Sequence, residues 1–186
     1  MGKLILVTGG ARSGKSKFAE KMAKELGENI LYMATAIAFD DEMEDRIKKH
    51  KNSRPSNWNT WEGFRNLGEA LIAQSPKFDG VLIDCITIMV TNIMLSHSEL
   101  NFDDISIDEI NMIEEDIKNE VNDLINGMKA SACDVIIVTN ELGSGIVPEN
   151  PMARSFRDFA GRANQMIGNA SDEIYMSVCG AQLRIK

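Results

Sequence analysis

Hydrophobic positions along the chain fall into short unbroken runs separated by stretches of helical period, the alternation expected of an α/β sheet with crossover helices. The runs are Lys3 to Thr8 (KLILVT), Ile30 to Ala34 (ILYMA), Gly80 to Cys85 (GVLIDC), Asp134 to Thr139 (DVIIVT) and Glu173 to Val178 (EIYMSV). Their continuous apolar character fits parallel strands covered on both faces. Between them, Ser16 to Leu26 sets Phe18, Met22 and Leu26 four residues apart, with Gly27 where a C-cap belongs. Ile105 to Met128 repeats at steps of three and four through Ile110, Ile113, Ile117, Val121, Leu124 and Met128. That spacing predicts a long amphipathic helix, with Ser106 and Glu109 as its capping box. Asp40 to Lys51 is rich in helix formers and charge, and Asn52 to Pro55 reads as a loop. Gly143 to Pro151 (GSGIVPENP) predicts an irregular surface segment. The alternating stretch Gln182 to Ile185 predicts a C-terminal antiparallel hairpin with Glu173 to Val178. No linker divides residues 1–186, so the expectation is one domain.

Charge sharpens this picture. The net charge is −8, but ten acidic residues and one basic residue, Lys118, lie between Glu99 and Asp123, leaving nineteen basic and eighteen acidic residues elsewhere. The overall balance argues against a duplex nucleic acid or an anionic membrane as partner, since both require a cationic face. A near-neutral body still permits a pocket for an anionic ligand, with the acidic segment expected away from it. The run Leu4 to Val7 is too short for a secretory signal, and no run is long enough to span a bilayer, so a cytoplasmic protein without membrane insertion is expected. Cys85, Cys133 and Cys179 are widely spaced, which predicts small buried residues in a reducing compartment rather than a zinc site.

The strongest chemical signal follows the first strand. Gly9, Gly10, Ala11, Arg12, Ser13, Gly14, Lys15 and Ser16 fit G-x-x-x-x-G-K-S between a strand and a helix. Backbone amides at a helix N-terminus cradle phosphates, Lys15 supplies a cation for the β- and γ-phosphates, and the Ser16 hydroxyl suits Mg²⁺. Asp84, at the carboxyl end of the third run, is placed to support that metal, and is equally placed to cap a helix from Ile86 onward, with Thr87 as rival cap. Asn140 and Glu141 end the fourth run at the same sheet edge and are secondary candidates. The fold expected is α/β of the P-loop NTPase type, RecA-like, a mostly parallel sheet flanked by helices.

A second cluster runs from Arg46 to Arg54, with five basic residues, no acid, and His50 among them. By itself such a run reads as a solvated helix face. Neighbouring cations, however, lower an imidazole's pKa from about 6.5 and keep it neutral and nucleophilic at pH 7. His97, in a loop-like stretch between Ser96 and Ser98, has no such company and reads as incidental.

The segments VTGGARSGKS, YMATA, DDEMEDRIKKHKNSRP, WEG, LIDCIT, VTNELGSGIVPENPMAR and FRDFAGRANQ together closely resemble the bifunctional adenosylcobinamide kinase / adenosylcobinamide-phosphate guanylyltransferase family of cobalamin biosynthesis, from Leu4 to the C-terminus. The resemblance implies one nucleotide pocket for two reactions. ATP or GTP phosphorylates the aminopropanol hydroxyl of adenosylcobinamide; GMP then passes from GTP, through a guanylyl-histidine, to the resulting phosphate, releasing pyrophosphate. By position, Gly9 to Ser16 would hold the triphosphate and His50 would attack the α-phosphorus, its helix swinging inward to reach it. Ala34, Thr35, Ala36, Lys51, Asn52, Ser53, Arg54, Glu62 and Asp84 match positions that line the guanine nucleotide's site. Asp84 stands where some relatives have glutamate, and Lys49 precedes His50 where certain relatives pair two histidines. The resemblance also implies a homo-oligomer, with a trimer expected, and the apolar stripe of the acidic helix offers a surface to bury between subunits. Two other readings fit the P-loop alone: another small-molecule kinase on the same scaffold, or a nucleotide-dependent switch or assembly factor.

Overall fold

Six parallel strands and one antiparallel strand form a single sheet. They are β1 (Leu4–Gly9), β2 (Ile30–Ala34), β3 (Asn59–Glu62), β4 (Gly80–Asp84), β5 (Asp134–Val138), β6 (Glu173–Val178) and β7 (Ala181–Arg184), in the order β3-β2-β4-β5-β1-β6-β7. The structure, a computed structural model, describes residues 2–37, 44–45, 47–48, 51 and 54–186. Five helices lie among the described residues: α1 (Lys15–Leu26), α2 (Leu67–Gln74), α3 (Ile86–Ser96), α4 (Ile107–Ala130) and α5 (Pro151–Ala170). β5 sits between β1 and β4, pairing in parallel with both, so the P-loop and Asp84 leave the same sheet edge one strand apart. The expected P-loop α/β architecture is therefore present, including the C-terminal hairpin of β6 and β7.

The two sheet faces are covered unequally. Alternate strand residues Leu4, Leu6, Leu31, Met33, Val81, Ile83, Val135 and Ile137 pack under α2, α3, α4 and α5. The opposite set, Ile5, Val7, Ile30, Tyr32, Leu82, Ile136 and Val138, meets α1 through Ala19 and Ala23, with Trp58 beside them. Period-2 alternation thus assigns Tyr32 and Ala34 to one face of β2, the face that α1 covers.

The long helix follows its sequence closely. The Ser106 hydroxyl accepts from the Glu109 amide at 3.2 Å, while the Glu109 carboxylate accepts from the Ser106 amide at 2.8 Å. Its apolar stripe (Ile113, Ile117, Val121, Leu124, Met128) is buried within this chain, which corrects the expectation that it serves a subunit interface. Several of its acidic residues have partners on neighbouring segments. Asp116 takes a bidentate pair from Arg65 at 2.8 and 2.7 Å, Glu120 accepts from the Asn66 amide, and Asp123 accepts from the Gly68 amide. α4 therefore uses its carboxylates to cap the N-terminus of α2 and to hold Arg65, on the sheet face opposite α1. His97 is also engaged, its Nε2 lying 3.0 Å from Asp116, so it is not incidental.

α2 and α4 touch backbone to backbone. A Cβ on Gly127 would sit 2.5 Å from the Gly68 Cα, and one on Gly68 would sit 2.0 Å from the Asp123 carbonyl oxygen. Gly127→Ala is expected to lower stability by about 3 kcal/mol through overpacking. Gly161 of α5 has open space around it, and Gly161→Ala is expected to raise stability by up to about 1 kcal/mol through helix propensity. Urea midpoints at unchanged denaturant slope measure both effects.

Cysteine usage departs from expectation. Cys85 is buried and Cys133 half-buried, but Cys179 is exposed. It occupies the two-residue turn between β6 and β7 with φ +51°, and a tight hairpin turn leaves no neighbouring layer to cover it.

Candidate functional site

The P-loop closes β1 onto α1. Gly14 precedes the helix at φ +94°, a left-handed conformation that favours glycine, and no side chain caps the first amides of α1. The Ser13 amide bonds the Gly10 carbonyl at 3.3 Å, and the Lys15 ammonium bonds the same carbonyl at 3.2 Å. Lys15 is buried, only 8% exposed, and the buried Ser13 hydroxyl has no hydrogen-bond partner among the described residues. A buried cation, an orphaned hydroxyl and uncapped helix amides together suit a phosphate chain. The β6–β7 turn braces the loop, since the Gly180 amide donates to the Ser13 carbonyl at 2.9 Å. Arg12, at φ +56°, is exposed.

A cleft of about 690 Å³, including its open mouth, lies at the carboxyl edge of the strands. Lys15, Ser16, Tyr32, Ala34, Ala36, Ile47, Lys51, Arg54, Asp84, Cys85, Ile88 and Asn140 line it. Its position, beside the P-loop at the carboxyl edge of a parallel sheet, suits a nucleotide. The sequence candidates Lys15, Ser16, Ala34, Ala36, Lys51, Arg54 and Asp84 are thus brought together, and Asn140 joins them. Glu62 reaches the rim through Lys51, whose ammonium lies 2.5 Å from its carboxylate. Glu141 donates its amide to the Gly9 carbonyl, tying the segment after β5 to the start of the P-loop.

Thr35 does not line the cleft. Its buried hydroxyl donates to the Cys85 carbonyl at 2.7 Å and accepts from the Cys85 amide at 2.9 Å. It locks the end of β2 to the turn after β4, so it positions Asp84 rather than facing a ligand. Asp84 itself is not a helix cap: α3 begins after Cys85, with no side-chain cap. His50, Asn52 and Ser53, with Arg46 and Lys49 from the same cluster, lie outside the described residues.

Two groups in the cleft have unusual surroundings. Arg54 lies over the Tyr32 ring, its Cζ 3.3 Å from the ring centroid, and its buried Nε and one terminal nitrogen have no hydrogen-bond partner among the described residues. The Tyr32 hydroxyl donates to the Asp84 carboxylate at 2.8 Å, and burial first, then the adjacent carboxylate, push its pKa upward, so it stays a donor. Burial pushes the Cys85 thiol up to about 11, which removes it as a rival nucleophile near neutral pH.

Ser16 and Asp84 supply a hydroxyl and a carboxylate oxygen, hard donors that suit Mg²⁺. No group of three or more His, Cys, Asp or Glu side chains gathers to hold a metal among the described residues. Two protein oxygens completed by ligand phosphates and water is the arrangement a P-loop cation takes, so the residues fit.

Sequence reading missed Tyr32, Ile47, Cys85 and Ile88. Tyr32 had a signal: Ala34 was a site candidate, and a residue two positions earlier on a strand shares its face.

The family described as cobinamide kinase / cobinamide phosphate guanyltransferase matches residues 5–185. The bifunctional adenosylcobalamin biosynthesis protein CobU of Salmonella typhimurium is 43% identical over 183 residues, covering 98% of this chain and 99% of that protein. CobU of Escherichia coli is 41% identical with the same coverage, and the bifunctional protein CobP of Pseudomonas aeruginosa is 33% identical over 97% of this chain and 96% of its own.

Proposed function

We propose that the chain, which belongs to the cobinamide kinase / cobinamide phosphate guanyltransferase family, uses the cleft at the carboxyl edge of its strands for both reactions. It is a bifunctional kinase and guanylyltransferase of adenosylcobalamin biosynthesis. The observation that carries the one-cleft reading is the convergence of Lys15, Ser16, Asp84 and Arg54 on one cavity.

In the kinase step, the α1 amides and Lys15 hold the β- and γ-phosphates of ATP or GTP. The hydroxyl oxygen of adenosylcobinamide attacks the γ-phosphorus, the bond to the β-phosphate oxygen breaks, and the nucleoside diphosphate leaves. This chemistry rests on positioning and charge stabilisation, which Lys15 and the loop provide without a strong base. Mg²⁺, when bound by Ser16 and through Asp84, neutralises phosphate charge.

In the transferase step, a neutral His50 nitrogen attacks the α-phosphorus of GTP, the bond to the β-phosphate breaks, and pyrophosphate departs against Lys15. A phosphate oxygen of adenosylcobinamide phosphate then attacks the same phosphorus, the P–N bond breaks, and free imidazole returns. Ala34, Ala36, Lys51, Asn52, Ser53, Arg54 and Glu62 are assigned to the guanine nucleotide, with Thr35 holding the wall behind it.

Asp84→Asn tests the shared cleft. It keeps the side chain's shape and removes the charge, so it is expected to reduce both activities by roughly a hundredfold and raise the Mg²⁺ concentration each requires. Steady-state rates against Mg²⁺ measure this; an effect on one activity alone would separate the two sites.

The reading extends to the setting of the enzyme. No helix among the described residues is long and apolar enough to cross a membrane. We assign the protein to the cytoplasm, as a homo-oligomer and specifically a trimer; the exposed aliphatic side chains of Ile146 and Val147 support a further apolar contact.

A further inference from the structure

The cleft holds a guanidinium and a carboxylate that do not pair with each other. Among the described residues Arg54 has no ion-pair partner, and Asp84 takes its side-chain hydrogen bond from Tyr32 alone. Opposite charges sharing a partly desolvated cavity attract strongly, and a direct Arg–carboxylate fork would satisfy both. Such a fork would also withdraw both groups from a ligand.

Tyr32 stands between them. Its ring face carries the Arg54 guanidinium at 3.3 Å, and its hydroxyl donates to the Asp84 carboxylate at 2.8 Å. The side chain is 2% exposed and fixed on β2, directly beside β4, where Ala34 pairs with Asp84 and Tyr32 with Leu82. It therefore gives each charge a neutral partner: a π face for the cation and a hydroxyl for the anion.

We infer that Tyr32 is a positioning residue that keeps Arg54 and Asp84 apart, so that the guanidinium stays available to the nucleotide and the carboxylate to the metal. The inference rests on the nucleotide reading of the cleft and adds to it a residue that touches neither reacting group. Removing the hydroxyl frees Asp84 to turn onto the unpartnered nitrogens of Arg54. The resulting ion pair competes with nucleotide even when no metal is present.

The test is binding of a fluorescent GTP analogue by full-length protein, with excess Mg²⁺ and with chelator, so that the readout does not depend on turnover. In chelator, Tyr32→Phe is expected to weaken binding roughly tenfold, the scale of one charge-assisted hydrogen bond lost to the ligand. Adding Asp84→Asn to Tyr32→Phe is expected to restore most of that loss, because the competing carboxylate is gone. A packing defect would not be rescued this way. Tyr32→Phe binding as tightly as wild type in chelator, or a double variant no tighter than Tyr32→Phe, would overturn the proposal. Arg54→Met and Asp84→Asn alone separate the two levels of the argument. Arg54→Met should weaken binding in chelator, and Asp84→Asn should remove the gain on adding Mg²⁺. If both behave so and rescue fails, only the role of Tyr32 falls; if both are silent, the nucleotide reading falls and this inference with it.

Discussion

Lys15→Ala is expected to abolish both cobinamide phosphorylation and guanylyl transfer, each by on the order of 10³-fold or more. The ammonium is buried at the mouth of α1, bonded to the Gly10 carbonyl, and lines the same cleft as Ser16 and Asp84. On the proposed reading, one cation at that point would face the triphosphate in both reactions, stabilising the transferring γ-phosphoryl in the first and the departing pyrophosphate in the second. Nucleotide binding should weaken in parallel with the rates. Initial-rate assays of each half-reaction, with thermal melts to establish that α1 is intact, decide the matter. A variant that retains either activity would refute the shared pocket.

His50→Ala is expected to separate the activities. Without the imidazole the P–N bond to His50 cannot form, so the acid-labile GMP adduct should disappear and guanylyl transfer should fall to background. The kinase step needs the triphosphate cradle and no histidine, so phosphorylation should persist within roughly tenfold of wild type. Labelled adduct and cobinamide phosphate are measured side by side. Loss of both activities, or of neither, would count against His50 as the nucleophile.

Most of the sheet was legible because β1, β2, β4 and β5 are buried on both faces and carry unbroken apolar runs. β3 was not, since Asn59, Thr60, Trp61 and Glu62 form an edge strand that is largely exposed and shows no such run. α3 escaped periodicity for the opposite reason: with Ile86, Met89, Val90, Ile93 and Met94 buried, it is apolar nearly all round. α2 is eight residues long, and its N-terminus is held by Glu120 and Asp123 from α4, partners no local pattern reveals. α5 did carry a local signal, Asn150 as N-cap accepting from the Ala153 amide and Pro151 at the first turn.

The site divides along the same line. Gly9 to Ser16 and Asp84 follow from motif and strand position, because phosphate and metal chemistry demand those residue types there. The Tyr32 contacts to Arg54 and Asp84 join three segments distant in sequence; the β2–β4 register brings Tyr32 beside Asp84, and the chain before β3 brings Arg54 over its ring. Part of the acidity of α4 serves the fold itself: Asp116, Glu120 and Asp123 engage Arg65, His97 and the start of α2.

The covalent relay through one cleft is tested most directly by incubating the protein with α-labelled GTP and Mg²⁺, isolating it, and chasing with adenosylcobinamide phosphate. The account predicts label bound to protein, absent in His50→Ala and Lys15→Ala, and carried by the chase into adenosyl-GDP-cobinamide. Protein that takes up no label, or keeps its label through the chase while product forms from fresh GTP, would contradict it.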